Sequence, residues 1–580
     1  MLKPLFAFAA LALVAPVAAS PSTDLKAVIN AHWAGVMANS PEYASTLGEP
    51  GGEGRVSDIS LAAKDRSAKD AADFRSRLVA IPDTGLTDTE RTDKAILIRM
   101  LGEEVDGNKF GQRMMLFSTY AGWHQNFVGL ADNSPFNTVA DYESYLKRLA
   151  AYPAVNAEAL KITRAAVAGG FVQPCVVLGG FEGSITGVIA KTPKESRFFK
   201  PFLGNAPLGM TLAAWATMGA RTAELSTTIV EPEYRKFADY YVRDYKPKCR
   251  KTVGASDMPQ GADYYAAQIR SHTTTDLSAD AIHKIGLGEV ARIRSEMDDL
   301  AKSAGYADRP AFIAELRRNP KYYAKSPAEL MAAAARQAKM IDGMMPKYFG
   351  KLPRLPYGVR EIPAEIAEGT TTAYYNAGSP VSGIAGNYYV NTSKLDQRPL
   401  WELPALTAHE AVPGHHNQIA LQQEMDLPKF RKYLTGFTAF VEGWALYTEH
   451  LGIEMGLYDT PEKNMGRLSY EMWRACRLVV DTGLHSKGWT KAQAIAFMRE
   501  NTALTDANIE AEVNRYISWP GQALGYKIGE LKIRELRARA EKTLGPKFDL
   551  RGFHDAVLAQ GAVPLDVLER QVDAWIAGKK

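Results

Sequence analysis

The sequence predicts a mainly α-helical protein, a single large helical body with a small β-sheet beside a cleft. Five segments place apolar residues at three- and four-residue spacing with charged residues between them, which is the pattern of amphipathic helices. They are residues 279–303, 327–345, 459–481, 490–500 and 522–544. Helix-start signals support two of them, because Thr490 and Gln493 form a capping-box pattern and Ser326 precedes Pro327 at a first helical position.

Strand-like runs are rare in the same sequence. Residues 175–178 (Cys-Val-Val-Leu) and 386–391 (Gly-Asn-Tyr-Tyr-Val-Asn) are the two persuasive candidates. A Pro-rich stretch at 353–363 separates an N-terminal helical part, 20–352, from a C-terminal part, 353–580. Because there is no internal repeat and no low-complexity linker, we expect this stretch to be a loop and the two parts to pack as one body.

The first 19 residues have the pattern of a secretory signal peptide. An apolar run follows Lys3, and Val17 and Ala19 supply the residues that precede a cut after Ala19. This run is shorter than the roughly 20 residues that span a bilayer, which argues against an uncleaved anchor. We therefore expect a secreted or periplasmic protein with no membrane contact after cleavage.

Charge and cysteine content restrict the function further. A formal net charge of +4 in 580 residues is close to neutral and predicts no nucleic-acid partner. The three cysteines, Cys175, Cys249 and Cys476, exclude a disulfide scaffold and contain no Cys-x-x-Cys metal spacing. Cys175 and Cys249 could pair in an oxidising compartment. Any metal site must therefore be built from histidines and carboxylates.

The C-terminal part carries a pattern typical of zinc hydrolases. His409 and Glu410 follow a largely apolar run at 401–408, and such a pair places a metal ligand beside a general base that takes a proton from water on the metal. The next histidines are His415 and His416, so the second ligand does not stand at the familiar four-residue spacing.

A regular helix cannot form a site with this spacing. A six-residue step lands roughly 120° off the face, and a seven-residue step rises about 10.5 Å, too far for two nitrogens that must each lie about 2.1 Å from one zinc. Pro413 removes the hydrogen bond to the carbonyl of His409, and Gly414 allows dihedral angles that other residues avoid. We therefore expect a widened turn that brings His415 beside His409, with His416 as the alternative second ligand.

Glu442, in the segment Phe-Val-Glu-Gly-Trp at 440–444, is the predicted third ligand. Glu449 lies two turns further on the same helix face and is either a supporting residue or an alternative ligand. Three protein ligands with an open fourth position are the catalytic arrangement of Zn²⁺. The competing interpretation is a pair of satisfied core histidines at a kink, with Glu442 in a buried salt bridge.

Other residues are candidates for contacts with substrate. His485, at a helix end, could hydrogen-bond a substrate carbonyl or cap its own helix. Tyr526 is the candidate donor to an oxyanion, or else a packing residue. Arg515 or Lys527 could bind a substrate carboxylate. Tyr388 lies on a strand that either pairs with an extended peptide as an exposed edge or packs as an ordinary strand.

In combination, five motifs resemble a bacterial family labelled domain of unknown function 885, over nearly all of the mature chain. They stand at 387–393, 409–416, 441–447, 481–485 and 520–527. The family is grouped with gluzincin-type zinc peptidases and is similar in helical architecture to angiotensin-converting-enzyme-like and carboxypeptidase Taq-like enzymes. The resemblance implies a large helical spindle with a deep central cleft, with zinc at its floor and a small sheet beside the metal helix.

The same resemblance maps the metal ligands onto His409, His415 and Glu442, and the general base onto Glu410. We expect a zinc-dependent metallopeptidase in which Tyr526 helps to hold the oxyanion. A deep, enclosed cleft favours short peptides, so dipeptidase, carboxypeptidase or oligopeptidase activity is expected. The alternatives are a metal-dependent amidase acting on modified or cell-wall peptides, and a non-catalytic peptide-binding protein. An intact Glu410 argues against the last, because a binding protein needs no general base.

Overall fold

The computed structural model describes residues 20–118, 121–363, 367, 371–380 and 383–579. The chain is 69% helical with one small sheet, which confirms the predicted mainly α fold. The predicted signal peptide, residues 1–19, lies outside the described residues. Within the part that the structure describes, no helix is both long enough and apolar enough to cross a membrane.

The helices of the N-terminal part precede the sheet. In chain order the α-helices are α1 (Pro21–Asn39), α2 (Pro41–Thr46), α3 (Leu61–Ala80), α4 (Asp88–Gly107), α5 (Trp123–Val128), α6 (Leu130–Asn133), α7 (Val139–Ala168), α8 (Phe181–Thr186), α9 (Leu212–Leu225), α10 (Glu231–Tyr240), α11 (Gly261–Thr273), α12 (Ala279–Ser303), α13 (Arg309–Arg318) and α14 (Pro327–Tyr348).

The helices of the C-terminal part follow the sheet and carry the predicted metal ligands. They are α15 (Leu403–Glu410), α16 (His415–Glu424), α17 (Lys429–Tyr433), α18 (Thr438–Leu451), α19 (Pro461–Ser486), α20 (Lys491–Asn501), α21 (Asp506–Ser518), α22 (Leu524–Leu544), α23 (Leu550–Leu558) and α24 (Leu565–Lys579).

The five predicted helices are all present, as α12, α14, α19, α20 and α22. Their starts form as the sequence indicates. Thr490 and Gln493 make a complete capping box at α20, and the Ser326 side chain accepts a hydrogen bond from the Glu329 N–H at α14. The structure extends α19 to Ser486, because its face remains buried beyond the predicted end.

The sheet contains β1 (Tyr357–Glu361), β2 (Ala373–Asn376) and β3 (Gly386–Val390), in the order β1-β3-β2. The predicted strand at 386–391 is thus confirmed. It pairs in parallel with β1 and antiparallel with β2, so it is the central strand. Of the two roles that the sequence left open for this strand, the structure shows an ordinary packing strand and not an exposed edge for a peptide, because both of its edges are already hydrogen-bonded.

The prediction of a second strand, at 175–178, is wrong. Cys175–Val177 forms a 3-10 turn instead, and the Cys175 N–H donates to the carbonyl of Arg250 at 2.8 Å. A disulfide joins Cys175 to Cys249 across a Cα–Cα distance of 5.1 Å, and Cys476 is buried and free. Beside the short apolar run the described residues form an isolated bridge, between Pro174 and Arg250, and no strand ladder, so the run lies in a loop rather than in a sheet.

The main apolar core draws residues from both predicted parts, from Leu25 in α1 to Ile576 in α24. The division at 352/353 stays a prediction. Near the predicted metal ligands, α18 and α22 pack backbone against backbone. A Cβ on Gly443 would lie 2.6 Å from the backbone of Gly529, and one on Gly529 would overlap the carbonyl of Ala439. This close contact places Glu442 of α18 on the side facing Tyr526 of α22.

Candidate metal centre

The segment at 409–416 breaks its helix as predicted. α15 ends at Glu410 and α16 begins at His415, and the His416 N–H donates to the carbonyl of Ala411 at 3.0 Å, a wider loop than a regular helix makes. The dihedral angles of Gly414, φ −74° and ψ −126°, lie outside the helical and extended regions, in agreement with the prediction. A Cβ there would also overlap the carbonyl oxygen of His409, so the close backbone approach requires glycine.

The turn brings His409 and His415 together with Glu442, and we call these residues the three-ligand cluster. The Nε2 atoms of His409 and His415 each lie 3.4 Å from Oε2 of Glu442. The three ligand atoms all lie within 4.8 Å of one another. The two imidazole rings are nearly perpendicular, at 88°, so their nitrogens converge on the carboxylate from different directions.

The geometry of the three-ligand cluster fits a metal better than it fits hydrogen bonding. Within the described part of the chain, the buried Glu442 Oε2 has no hydrogen-bond partner although two imidazole nitrogens face it, and His415 Nδ1 also lacks one. Two ligand atoms about 2.1 Å from one zinc at a tetrahedral angle lie about 3.4 Å apart. The spacing of the two histidine–glutamate pairs matches that value, and the donor set of two imidazoles and one carboxylate is one that zinc accepts.

Glu449 is oriented as a partner of His409. Its Oε1 lies 2.7 Å from Nδ1 of His409 and 3.2 Å from the Arg474 guanidinium. A carboxylate on one imidazole nitrogen fixes the ring and directs the other nitrogen to a metal. Of the two roles that the sequence left open for Glu449, the supporting one fits this geometry.

The electrostatics of the cluster favour a positive charge at its centre. Burial lowers the pKa of His409, but the carboxylates of Glu442 and Glu449 outweigh burial and raise this pKa to about 9. Burial raises the pKa of Glu442, yet the imidazoles of His415 and His409 hold it well below its usual range. The same charges that stabilise a proton on His409 would stabilise a divalent cation between the three side chains.

His416 points away from this cluster, toward the sheet. Its Nε2 lies 3.0 Å from the carbonyl of Leu355, and its Nδ1 lies 2.9 Å from the hydroxyl of Tyr375. An imidazole that donates to a carbonyl with Nε2 must accept from the tyrosine with Nδ1, so both nitrogens are occupied. Between the two histidines that the sequence offered, the structure therefore brings His415 to the cluster.

Helix α18 braces the turn with two hydrogen bonds that the sequence analysis missed. Trp444 Nε1 donates to the carbonyl of Pro413 at 2.9 Å, and the Thr448 hydroxyl donates to the carbonyl of Ala408 at 2.9 Å. The sequence could have indicated this pair, because residues four apart share a helix face and Trp444 and Thr448 follow the predicted ligand Glu442 on the same helix. They satisfy carbonyls that the helix break leaves unpaired.

Glu410 and Tyr526 flank the cluster. Among the described residues, no hydrogen bond or ion pair engages the Glu410 carboxylate, which is 9% exposed. Arg515 donates to the Tyr526 hydroxyl oxygen at 3.1 Å, and the Arg477 guanidinium lies 4.1 Å from the centre of the Tyr526 ring. Burial and the Glu442 charge raise the pKa of Tyr526, so the phenol keeps its hydrogen and can donate it.

The structure corrects the predicted substrate role of His485. This side chain is fully buried, its Nδ1 accepts from the Ala255 N–H at 2.9 Å and its Nε2 lies 2.9 Å from the carbonyl of Tyr516. Both nitrogens are bonded to backbone groups, and none remains for a substrate. Tyr516 is in the last turn of α21, so His485 satisfies the end of a neighbouring helix rather than its own.

Lys527 and Tyr388 are also corrected. Lys527 is fully buried, and its Nζ lies 2.8–3.1 Å from carboxylates of Glu289, Glu471 and Glu530. We call these four residues the Lys527 network. An ammonium matched by three carboxylates does not serve a substrate carboxylate. Tyr388 is fully buried on the central strand and packs in the core, so it does not line an open cleft.

A pocket of about 390 Å³ opens beside the cluster. Glu442 lines it, together with Gln522, which accepts a hydrogen bond from Arg515 at 2.6 Å. The loop between α17 and α18 and one face of α16 form the other walls. The three-ligand cluster is thus reached from a concave surface rather than sealed in the core.

Comparisons with known proteins place the chain in a wider group. It matches the family described as "Bacterial protein of unknown function (DUF885)" over residues 41–572. A crystal structure of a "putative lipoprotein" from Colwellia psychrerythraea is 28% identical, with a TM-score of 0.88, and the match covers 96% of this chain and 100% of that chain.

A second solved structure, a "putative lipoprotein of unknown function" from Shewanella oneidensis, is 20% identical, with a TM-score of 0.75, over 95% of this chain and 99% of that chain. It shows that the fold is shared. No protein in the search of curated sequences matches the chain.

Proposed function

The chain belongs to this DUF885 family, and we propose that it is an exported, zinc-dependent metallopeptidase that hydrolyses short peptides. The observation that carries the proposal is the three-ligand cluster, whose atoms stand at the spacing of zinc ligands and outside hydrogen-bond geometry. Three protein ligands leave a fourth position for water or substrate, which is the catalytic arrangement.

Two observations support export. A similar structure from Colwellia psychrerythraea is described as a "putative lipoprotein", and lipoproteins are a class of exported proteins. The disulfide between Cys175 and Cys249 is a bond typical of oxidising compartments. Both agree with the signal-peptide pattern of the first 19 residues.

The side chains of the site have distinct tasks in this proposal. Zinc held by the three-ligand cluster would supply a Lewis acid that activates water and polarises the scissile carbonyl. Glu410 accepts the proton of the attacking water and returns it to the leaving amine. Tyr526 donates its hydroxyl hydrogen to the oxyanion, and Arg515 orients that hydroxyl by donating to its oxygen.

The pocket beside Glu442 supports a preference for short substrates. Its volume of about 390 Å³ lies near the low end of the range of about 300–1,000 Å³ for small-molecule sites. A folded protein could not enter it, whereas the end of a peptide could. This is the basis for proposing a peptidase of short peptides rather than a proteinase.

Replacing Glu410 with glutamine tests the mechanism. General-base catalysis contributes about 10²–10⁴-fold, so we expect Glu410→Gln to lose peptide hydrolysis by that factor while it retains about one zinc per chain. Zinc content measured by mass spectrometry, together with digestion of a peptide library, gives both values. Glu500→Gln is the matched control, since Glu500 is exposed on α20 and lies 3.4 Å from Arg294.

Other outcomes distinguish the alternatives. Undiminished cleavage by Glu410→Gln would refute the mechanism, and a wild-type protein that takes up no zinc would refute the metal centre. Cleavage of peptidoglycan stem peptides but not of linear peptides would identify an amidase. Tight peptide binding without cleavage by the zinc-loaded protein would identify a binding protein.

A further inference from the structure

Apart from the predicted metal ligand Glu442, the described lining of the pocket beside it contains one charged residue. Among its described lining residues, Glu442 and Lys432 carry charge, and the rest are polar amides, hydroxyls or apolar groups. Glu442 belongs to the three-ligand cluster. The charge that a bound molecule meets away from the cluster is therefore the ammonium of Lys432.

Lys432 differs from the neighbouring cations of α17. Lys429 pairs with Glu49 at 2.5 Å, and Arg431 pairs with Asp93 at 2.7 Å. Among the described residues, no carboxylate lies within ion-pair distance of Lys432, although its side chain is half-buried at the pocket. A half-buried ammonium without a carboxylate partner lacks the charge compensation that its neighbours have.

The cations that the sequence assigned to a substrate carboxylate are already compensated. Lys527 is enclosed by its network. Arg515 donates to Tyr526 and to Gln522 and lies 3.4 Å from a carboxylate oxygen of Glu512. A carboxylate arriving in the pocket would have to compete with those partners. It would meet no such competition at Lys432.

Gln418 adds an oriented hydrogen-bond acceptor to the same pocket. Gln422 Oε1 accepts from the backbone N–H of Ala562 at 2.8 Å, and a backbone N–H can only donate, so the orientation of the Gln422 amide is fixed. Gln418 must then turn its NH₂ group to Gln422, at 3.0 Å. The Gln418 Oε1 then has no partner among the residues that the structure describes, although the residue is only 1% exposed.

A buried acceptor without a partner costs free energy unless a ligand satisfies it. An amide N–H is the group of a peptide that does so. The pocket also has apolar walls, from Ile419 and Val441, and an aromatic rim, where the hydroxyl of Tyr43 donates to the carbonyl of Tyr433 at 3.0 Å. It therefore combines a cation, an amide acceptor and apolar surface beside the zinc ligands.

We propose that this pocket binds the C-terminal end of the substrate, and that the protein is a peptidase that acts from the free C-terminus. Lys432 binds the terminal carboxylate, and Gln418 accepts from a backbone N–H of the same end. This inference rests on the proposed function for the cleavage step. In that step water adds across the peptide bond: the C–N bond breaks, the acyl carbon gains the hydroxyl, and the leaving amine gains the proton.

The test uses two N-acylated peptides that are identical except that one ends in a free carboxylate and the other in an amide. We expect the free acid to be bound and cleaved at least about tenfold better than the amide, because a charge-assisted hydrogen bond is lost in the amide. Binding is measured by calorimetry on the zinc-loaded Glu410→Gln variant, and cleavage on protein with Glu410 intact.

Lys432→Met should remove the preference for the acid by raising its KM, and its Kd in the Glu410→Gln background, to about the values for the amide. Lys432→Arg should restore most of the preference. Lys429→Met is the matched control on the same helix, and it should keep the preference because Lys429 pairs with Glu49 and does not line the pocket.

Each outcome has a separate meaning. Equal binding of the acid and the amide by the Glu410→Gln variant, absence of binding of either peptide, or an unchanged preference in Lys432→Met overturns the C-terminal assignment. Preferential binding of the acid without any cleavage overturns the peptidase function but supports the carboxylate site. Cleavage of both peptides at equal rates supports the peptidase and overturns the site.

Discussion

Two groups of buried charged side chains lie on neighbouring helices of this protein and differ in how their charges are matched. In the Lys527 network, one ammonium has three carboxylate partners within 3.1 Å. Arginines close the outer side of the network, with Arg467 3.1 Å from Glu471 and Arg534 3.0 Å from Glu530. In the three-ligand cluster the polar atoms face one another at 3.4 Å without forming hydrogen bonds.

The difference separates a structural role from a binding role. A buried ion is tolerated when partners compensate it, and the Lys527 network meets that condition with groups of the chain alone. The three-ligand cluster does not: Glu530 Oε2 lies 2.8 Å from the Lys527 ammonium, whereas Glu442 Oε2 has two imidazole nitrogens no closer than 3.4 Å, and no described residue bonds His415 Nδ1. Two imidazoles and a carboxylate held at this spacing form an arrangement that a bound cation would complete.

Removing the ammonium from the network is expected to give the largest loss of stability. Lys527→Met removes the ammonium that three buried carboxylates share. Breaking a buried ion pair lowers the free energy of unfolding by about 3–5 kcal/mol. Urea denaturation should show a fall of that size in the free energy of unfolding. Zinc uptake per folded chain should not change.

Lys532→Met on the same helix is the control for this prediction. Lys532 lies 2.8 Å from each of two part-exposed carboxylates, Glu535 and Glu569, so its loss should cost about 1 kcal/mol or less. If Lys527→Met were as stable as this control but lost zinc, the assignment of a structural role to the Lys527 network and a binding role to the three-ligand cluster would be wrong.

The contrast also shows what sequence alone could predict. The helix-breaking Pro413-Gly414 pair and the spacing from His409 to His415 are local, so the turn that brings both histidines together could be predicted. Two of the three partners of Lys527 could not, because Glu471 is 56 residues away and Glu289 further still, and only Glu530 stands at a helical spacing of three. Helix periodicity shows that a residue is buried but not which charges surround it.

The same limit explains the errors at the sheet and at His485. A strand pattern at 386–391 does not reveal that β1 and β2 will occupy both edges, since pairing depends on segments that precede it in the chain. His485 stands at a helix end in sequence, yet its partners, Ala255 and Tyr516, come from distant segments. Lys432 carries no periodic or motif signal, and only its missing partner distinguishes it.

Glu449 combines features of both groups, because its carboxylate contacts the predicted metal ligand His409 and also pairs with Arg474. Glu449→Gln keeps an acceptor for the His409 N–H but removes the charge, and loss of such a partner costs about 10–100-fold in metal affinity. Competition with a chelator should show zinc binding weakened by that factor. Glu454→Gln, which alters a part-exposed partner of Arg537, should bind zinc normally. Equal affinity in both variants would show that Glu449 belongs with the structural ion pairs.

The smallest expected effect concerns Asp481, a buried carboxyl of α19 that belongs to neither group. It accepts hydrogen bonds from the Tyr265 hydroxyl at 2.6 Å and from the Gly521 N–H at 3.1 Å, and no ion pair with a described residue compensates it. Burial outweighs these hydrogen bonds and the more distant Arg515 charge, and raises the pKa of Asp481 from 3.8 to about 7.

Because the folded state keeps this proton up to about pH 7 while the unfolded chain loses it near pH 3.8, the free energy of unfolding falls as pH rises through that window. Asp481→Asn keeps an acceptor for both hydrogen bonds and cannot ionise. Urea denaturation at pH 5 and pH 8 should show the variant gaining at least about 1.4 kcal/mol relative to wild type, the equivalent of one pKa unit. Parallel changes in both proteins would mean that the carboxyl is compensated after all, like those of the Lys527 network.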